Sequence, residues 1–240
     1  MPIESEDRPS DSPYIHRVWR SVATGVSQMT SVATSTWEMV FWEEGGRTYA
    51  GVRGPETSAS TAVVPEGSPS FGITFAHGAS MPHLPLARLV DSGLESPHAT
   101  AKVFVLRGEE WQLPGFESAE QFVGHLVRAG VLVRDPLVSD IVSGSISTVG
   151  TRSVQRCVAA ATGLTQGSIR QIERARQAAI LLDEGVASLD VVHRLEYYDQ
   201  AHLSRSLGRF IGHTATELRR GRPVDHPLSL LYKTEPTEDS

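Results

Sequence analysis

The sequence predicts a mixed α+β protein of two domains. The first is a small β-barrel-like domain with a few helices, and the second an all-α double helix-turn-helix domain. Three observations carry this. The hydrophobic period shifts from two to that of a helix between about Arg128 and Asp135. Many short apolar runs bounded by glycine and proline precede the shift, the pattern of a sandwich or small barrel. Charge divides in the same way, since Met1–Ser145 sums to -7, Ile146–Arg222 to +4 and the rest to -3 within a total of -6. A length of 240 residues accommodates one large or two small domains. The expected division is an arm over 1–13, a β-rich domain over 14–130, a helical domain over 131–222 and a tail over 223–240.

The opening residues are polar and proline-bearing, which predicts a mobile arm. TSTWEMVFWEEGGRTYAGVRG reads as a hairpin. Trp37, Met39 and Phe41 alternate there with Glu38, Val40 and Trp42, and Gly45-Gly46 suits the turn. TAVVP, SFGITF and AKVFVLRG read as further strands, and LARLVD as a short helical turn. SAEQFVGHLVRAG has helical spacing in Phe122, Val123, Leu126 and Val127, with Ser118 and Gln121 placed for a capping box.

PLVSDIV begins the helical part, with Pro136 at a first helical position. TRSVQRCVAAATG puts Val154, Cys157, Val158 and Ala161 on one face and Arg152, Gln155 and Arg156 around the other. SIRQIERARQAAILLDEG is the longest helix, whose stripe of Ile169, Ile172, Arg176 and Ala179 marks a connector packed on both sides. Ser188 is placed to cap LDVVHRL. A turn EYY follows, and Asp199 is placed to cap QAHLSRSLGRF, in which Leu203, Leu207 and Phe210 form the buried stripe.

Two short helices around a three-residue turn make a helix-turn-helix, whose second helix enters the DNA major groove. Its exposed face is read as Gln200, His202, Arg205, Ser206 and Arg209, with Arg219 and Arg220 placed to meet phosphate. All 11 basic residues of the +4 module are arginines, whose planar fork suits phosphate and base edges.

These segments resemble the AraC family of transcription regulators. RSVQRCVAAATGLT is similar to the family's first recognition helix and following turn, IRQIERARQAAILL to its linking helix, and DVVHRLEYYDQAHLSRSLGRFIGHTATELRR to its second helix-turn-helix. The resemblance implies two reading helices set in adjacent major grooves of double-stranded DNA. It places Arg152, Ser153, Gln155 and Arg156 on the first, and Gln200, His202, Arg205 and Arg209 on or beside the second. HRVW, WEMVF and LPLARLVD resemble the cupin-like domain that accompanies a subset of these regulators. Three features depart from the pattern: Glu196 stands where the turn usually has glycine, Cys157 replaces a larger, often basic residue, and the first unit's leading helix is short.

Trp37, Met39, Phe41 and Trp42 are candidates for an effector pocket and equally for barrel core. The β-rich half is read as sensing a small-molecule effector, pairing two copies as a homodimer, or serving as a scaffold. No phosphate-binding loop, Ser-His-Asp spacing or thiol pair supports catalysis, so no enzyme activity, cofactor or metal is expected. His77, His83 and His98 keep a cupin-like metal-binding protein or enzyme as the alternative, although they lack compact metal-ligand spacing. One cysteine permits no internal disulfide, the start lacks a signal segment, and no apolar run approaches the roughly 20 residues of a membrane span. A cytoplasmic protein without membrane contact is expected.

Overall fold

The computed structural model describes residues 3–25, 27–64, 66–144 and 151–220. The tail expected at 223–240, and most of the loop SGSISTVG, lie outside the described residues. The described chain is mixed α+β, with seven α-helices and a large antiparallel sheet.

The β-rich part contains β1 (Ile3–Arg8), β2 (Ile15–Ala23), β3 (Ser27–Ser31), β4 (Glu38–Glu44), β5 (Arg47–Arg53), β6 (Ser60–Val64) and β7 (Pro69–Phe75). Short strands β8 (Ala79–Ser80) and β9 (Gly93–Glu95), a hairpin of β10 (Val103–Leu106) and β11 (Glu109–Gln112), helix α1 (Ala119–Arg128) and β12 (Val133–Arg134) complete it. Six strands form one antiparallel sheet in the order β1-β2-β7-β4-β5-β9, while β3 pairs with β6 and β8 with β12. Among the described residues no sheet closes on itself, so the expected barrel is an open sheet accompanied by a β3–β6 ribbon.

Period-two alternation sorts the sheet into two faces. Val18, Ile73, Met39 and Val52 lie in one cross-strand row, and with Phe41, Phe75 and Trp37 they pack against Phe104, Phe122 and Leu126. Trp37 stacks on Phe75 at 3.9 Å and donates its indole N–H to the Ala79 carbonyl at 2.7 Å. The β4–β5 hairpin turns at Gly45 and Gly46 with φ of 57° and 74°, as the sequence suggests.

Two local expectations fail in this part. Ile3–Arg8 is a strand rather than part of a mobile arm, because backbone pairing with β2 requires no apolar alternation. Arg8 also anchors it to the Glu120 carboxylate at 2.6 and 2.8 Å and to the Phe116 carbonyl at 2.6 Å. Glu4, Glu6 and Asp7 leave this sheet edge charged, which discourages further strand addition. The Ser118–Gln121 capping box does not form, since the Ser118 hydroxyl accepts from the Gly115 N–H at 3.0 Å instead.

The helical part contains α2 (Pro136–Val142), α3 (Thr151–Thr162), α4 (Gln166–Asp183), α5 (Ser188–Arg194), α6 (Gln200–Phe210) and α7 (Ala215–Arg219). Asp135 caps α2 through the Leu137 N–H, Thr165 caps α4 through the Ser168 N–H, and Asp199 caps α6 through the His202 N–H. Ser188 does not cap α5. It occupies the helix itself, after Ala187. Leu132 still belongs to the first hydrophobic core and β12 pairs back to β8, so the change to helix falls at Asp135, the far end of the expected interval.

A second core gathers Ile141, Val158, Ile169, Ile172, Leu182, Val191, Leu203, Leu207 and Phe210, and it also takes in Val32 and Ala33 from the β-rich part. Backbone bonds join the two parts, because the Ala33 and Ala59 N–H groups donate at 2.8 Å to the Phe210 and Arg209 carbonyls. The end of α6 thereby gains partners for carbonyls that a helix terminus leaves unpaired. No helix among the described residues is long and apolar enough to cross a membrane.

Candidate functional site: nucleic-acid interface and polar cavity

Leu203, Leu207 and Phe210 bury one side of α6, so its opposite side faces outward. Gln200, Arg205 and Arg209 are exposed there, and Arg209 lies with its guanidinium 4.8 Å from the Phe210 ring centroid. His202 is half-buried, with Nδ1 accepting from the Tyr198 N–H at 3.4 Å and its ring edge-on to Tyr197. Ser206 departs from the sequence reading. It is only 8% exposed and pairs with the Tyr197 hydroxyl at 3.2 Å, so it braces the turn and is absent from the outer face.

The turn before α6 explains how that face is held. Glu196 has φ 54°, the left-handed conformation to which glycine is better suited than a residue with a Cβ. Tyr197 is buried, returns its N–H to the Val192 carbonyl at 2.9 Å and supports the Arg174 guanidinium of α4 at 4.5 Å. Tyr198 is 91% exposed at the start of α6, an outward aromatic that sequence reasoning did not single out. Arg219 and Arg220 are exposed at the end of α7.

On α3, Arg152, Ser153, Gln155 and Arg156 are exposed and Val158 is buried. The inner side of α3 packs against the Leu86–Arg88 turn of the β-rich part. Cys157 is half-buried and its thiol donates to Asp135 Oδ2 at 3.5 Å; burial first, then Asp135, pushes its pKa up. A thiol so placed stays protonated, which suits packing better than reactivity.

The outer face of the main sheet has a different composition. Registers align Arg17, Thr74, Glu38 and Arg53 in one row across β2, β7, β4 and β5. The next row is Trp19, Gly72, Val40 and Gly51, followed by Ser21, Ser70, Trp42 and Tyr49. A Cβ on Gly72 would come within 2.3 Å of the Trp19 indole, so the missing side chain lets that ring lie against the sheet. The Trp19 indole N–H then reaches Glu38 Oε2 at 3.0 Å, and Trp42 stacks on Tyr49 at 5.3 Å.

This face, the β3–β6 ribbon and α4 enclose a partly open cavity of about 490 Å³. Its charged end brings His16, Arg17, Glu38 and His77 of the β-rich part to Glu173 and Arg176 of α4. Arg176 donates to the Ala33 carbonyl at 3.0 Å and lies 3.9 Å from Glu173, and burial lowers its pKa. Glu56 accepts from the Ser31 hydroxyl at 2.7 Å, while burial raises its pKa.

Of the four pocket candidates, Trp42 lines this cavity, whereas Trp37, Met39 and Phe41 belong to the apolar core on the other face. The usable signal was the even-numbered stripe Glu38, Val40, Trp42 and Glu44, all of which line the cavity. His77 lines it too, while His83 and His98 are exposed. Among the described residues no group of three His, Cys, Asp or Glu side chains is placed to hold a metal ion.

Ser35 lies between His77 and Glu173, which the sequence separates widely. Its hydroxyl donates to Glu173 Oε1 at 2.5 Å, leaving Oγ to accept from His77 Nε2 at 2.8 Å. This order differs from a nucleophilic triad, in which histidine lies between serine and carboxylate and takes the serine proton. Ser35 is also only 1% exposed, so the group acts as a brace between the sheet side and α4. Burial lowers the His77 pKa, and Glu173 opposes that shift. The chain matches no family model, no curated protein and no solved structure.

Proposed function

We propose that this chain is a cytoplasmic, sequence-specific DNA-binding transcription regulator of the AraC type, with two domains. Its helical domain reads double-stranded DNA through α3 and α6, and its β-rich domain controls that reading. The observation that carries the proposal is the α5–turn–α6 unit, in which a positive-φ turn and a buried stripe leave Gln200, Arg205 and Arg209 outward on one helix. The outward Arg152, Gln155 and Arg156 of α3 support a second reading element, and the +4 charge of the module supports phosphate attraction. For the controlling domain, the cavity beside α4 favours ligand sensing over simple pairing of two copies.

Selection of bound duplexes from a random library, followed by titration of winning and scrambled sequences, tests the reading. A regulator discriminates between them and weakens with added salt; equal binding of both at every salt concentration refutes sequence recognition. Arg205→Ala should weaken binding by about 1–3 kcal/mol and relax one base position if Arg205 meets a base edge. Arg88, remote in sequence, is a poor control because α3 packs on its turn. Arg107, exposed in the β10–β11 turn, is the better one. Loss spread evenly over all base variants assigns Arg205 to phosphate contact, and an unchanged affinity removes it from the interface.

A further inference from the structure

We propose that Tyr198 is a sequence-reading residue of the α5–turn–α6 unit, its ring packing against the C5-methyl of a thymine in the major groove. The inference rests on the DNA-reading proposal above. It goes further by assigning a base, and one group on that base, to a residue outside the arginine and glutamine set.

Tyr198 is 91% exposed, whereas its neighbour Tyr197 is buried. A phenol ring held so far into solvent keeps apolar area in water that contact with a partner removes. Among the described residues its side chain makes no hydrogen bond, while its backbone N–H donates to His202 Nδ1 at 3.4 Å and ties the residue to the first turn of α6.

Asp199 caps α6 and Gln200 begins it, so Tyr198 stands at the N-terminal end, the end that a recognition helix turns toward base edges. The middle of the outward side is short. Ala201, Ser204 and Gly208 are exposed there, and nothing lies within 4 Å of a Cβ on Gly208. Tyr198, Gln200, Arg205 and Arg209 are the long side chains around that strip, and the two arginines supply the charge that a duplex complements.

Two features favour a base over a phosphate at Tyr198. Asp199, next in sequence, carries a carboxylate that accepts the His202 N–H at 2.6 Å; its charge repels a phosphate and is indifferent to a methyl group. A phosphate also offers no apolar surface to cover the ring, whereas the thymine methyl is the apolar group of the major groove.

The probe is a duplex selected by the full-length chain, with each thymine replaced in turn by deoxyuridine, which removes only the C5-methyl. At one position the replacement should weaken binding about fourfold, the worth of one methyl group taken out of water. Tyr198→Ala should weaken binding of the unmodified duplex by at least about that factor and abolish the deoxyuridine effect at that position, as a double-mutant cycle requires of groups in contact. Tyr198→Phe should keep both the affinity and the effect, because it keeps the ring. Arg107→Ala should change neither.

A deoxyuridine effect of the same size in Tyr198→Ala, or no position at which deoxyuridine weakens binding, overturns the proposal. So does an even loss by Tyr198→Phe over all duplexes, which would give the hydroxyl a phosphate contact. Unchanged duplex binding by Tyr198→Ala, in a chain of native circular dichroism, overturns it as well and leaves the ring to a second copy or another protein. Equal binding of selected and scrambled duplexes by the unaltered chain would refute the DNA reading and this assignment with it, whereas discrimination insensitive to Tyr198 refutes the assignment alone.

Discussion

Glu196 holds φ 54° in the turn before α6, where the left-handed backbone crowds its Cβ. Replacement by glycine relieves about 1 kcal/mol of that strain and returns part of it as entropy of the unfolded chain. Glu196→Gly should therefore raise the unfolding free energy by about 0.5 kcal/mol, read as a higher urea midpoint at unchanged slope. A lower midpoint would mean that the carboxylate makes a contact worth more than the strain. At the opposite end of the chain, Arg8 holds the Glu120 carboxyl at a pKa of about 2, chiefly by direct hydrogen bonds, against an ordinary value of 4.5. A depressed carboxyl pKa stabilises the fold above the ordinary value and loses that contribution as pH falls toward the folded one. Stability should accordingly drop between about pH 4.5 and pH 2, and Glu120→Gln should flatten that part of the profile. Equal slopes in both proteins would remove the pair from the acid response.

Gly163 joins two elements that the sequence separates widely. It ends α3 at φ 75°, and a Cβ there would lie 2.9 Å from the Leu86 carbonyl carbon and the Ala87 nitrogen. Gly163→Ala combines a strained backbone with overpacking and should cost about 1–3 kcal/mol. Gly167→Ala, in the first turn of α4, would meet only Thr165 Oγ1 at 3.8 Å and should gain up to about 1 kcal/mol. Paired denaturation curves moving in opposite directions would support the argument; a neutral Gly163→Ala would show that the Leu86 turn yields. The terminal glycine of α3 and the short turn in LARLVD were both legible because they are local, whereas the packing of one against the other was not. The same division runs through the fold. Asp199, Leu203, Leu207 and Phe210 announce α6 by cap and period, while Ile3–Arg8 announces nothing, because its pairing is a property of β2. The cavity was half legible. Alternation separated Trp37, Met39 and Phe41 from Glu38, Val40 and Trp42, but only the packing of α1 on one face and α4 near the other says which stripe is core.

At the scale of the molecule, the two parts meet through backbone bonds, a shared core and the cavity. Ala33 and Ala59 hold the end of α6, the Leu86 turn supports α3, and Glu173 and Arg176 of α4 close the cavity. Both outward helices are therefore braced by the part that would sense a ligand, and α4 runs between them. A ligand bound in the cavity can alter DNA affinity only by as much as its own affinity differs between DNA-competent and incompetent arrangements. If α4 carries that difference, a cavity ligand should change operator affinity by about 5- to 150-fold, and operator should change ligand affinity by the same factor. Titration of operator with and without saturating ligand, and of ligand with and without operator, measures both sides of the cycle. Ser35→Ala removes the brace between His77 and Glu173 without touching α6, so it should alter the shared factor more than it alters operator affinity in the absence of ligand. A factor of one in both directions would separate the cavity from DNA reading, and unequal factors would mean that the two titrations do not report the same equilibrium.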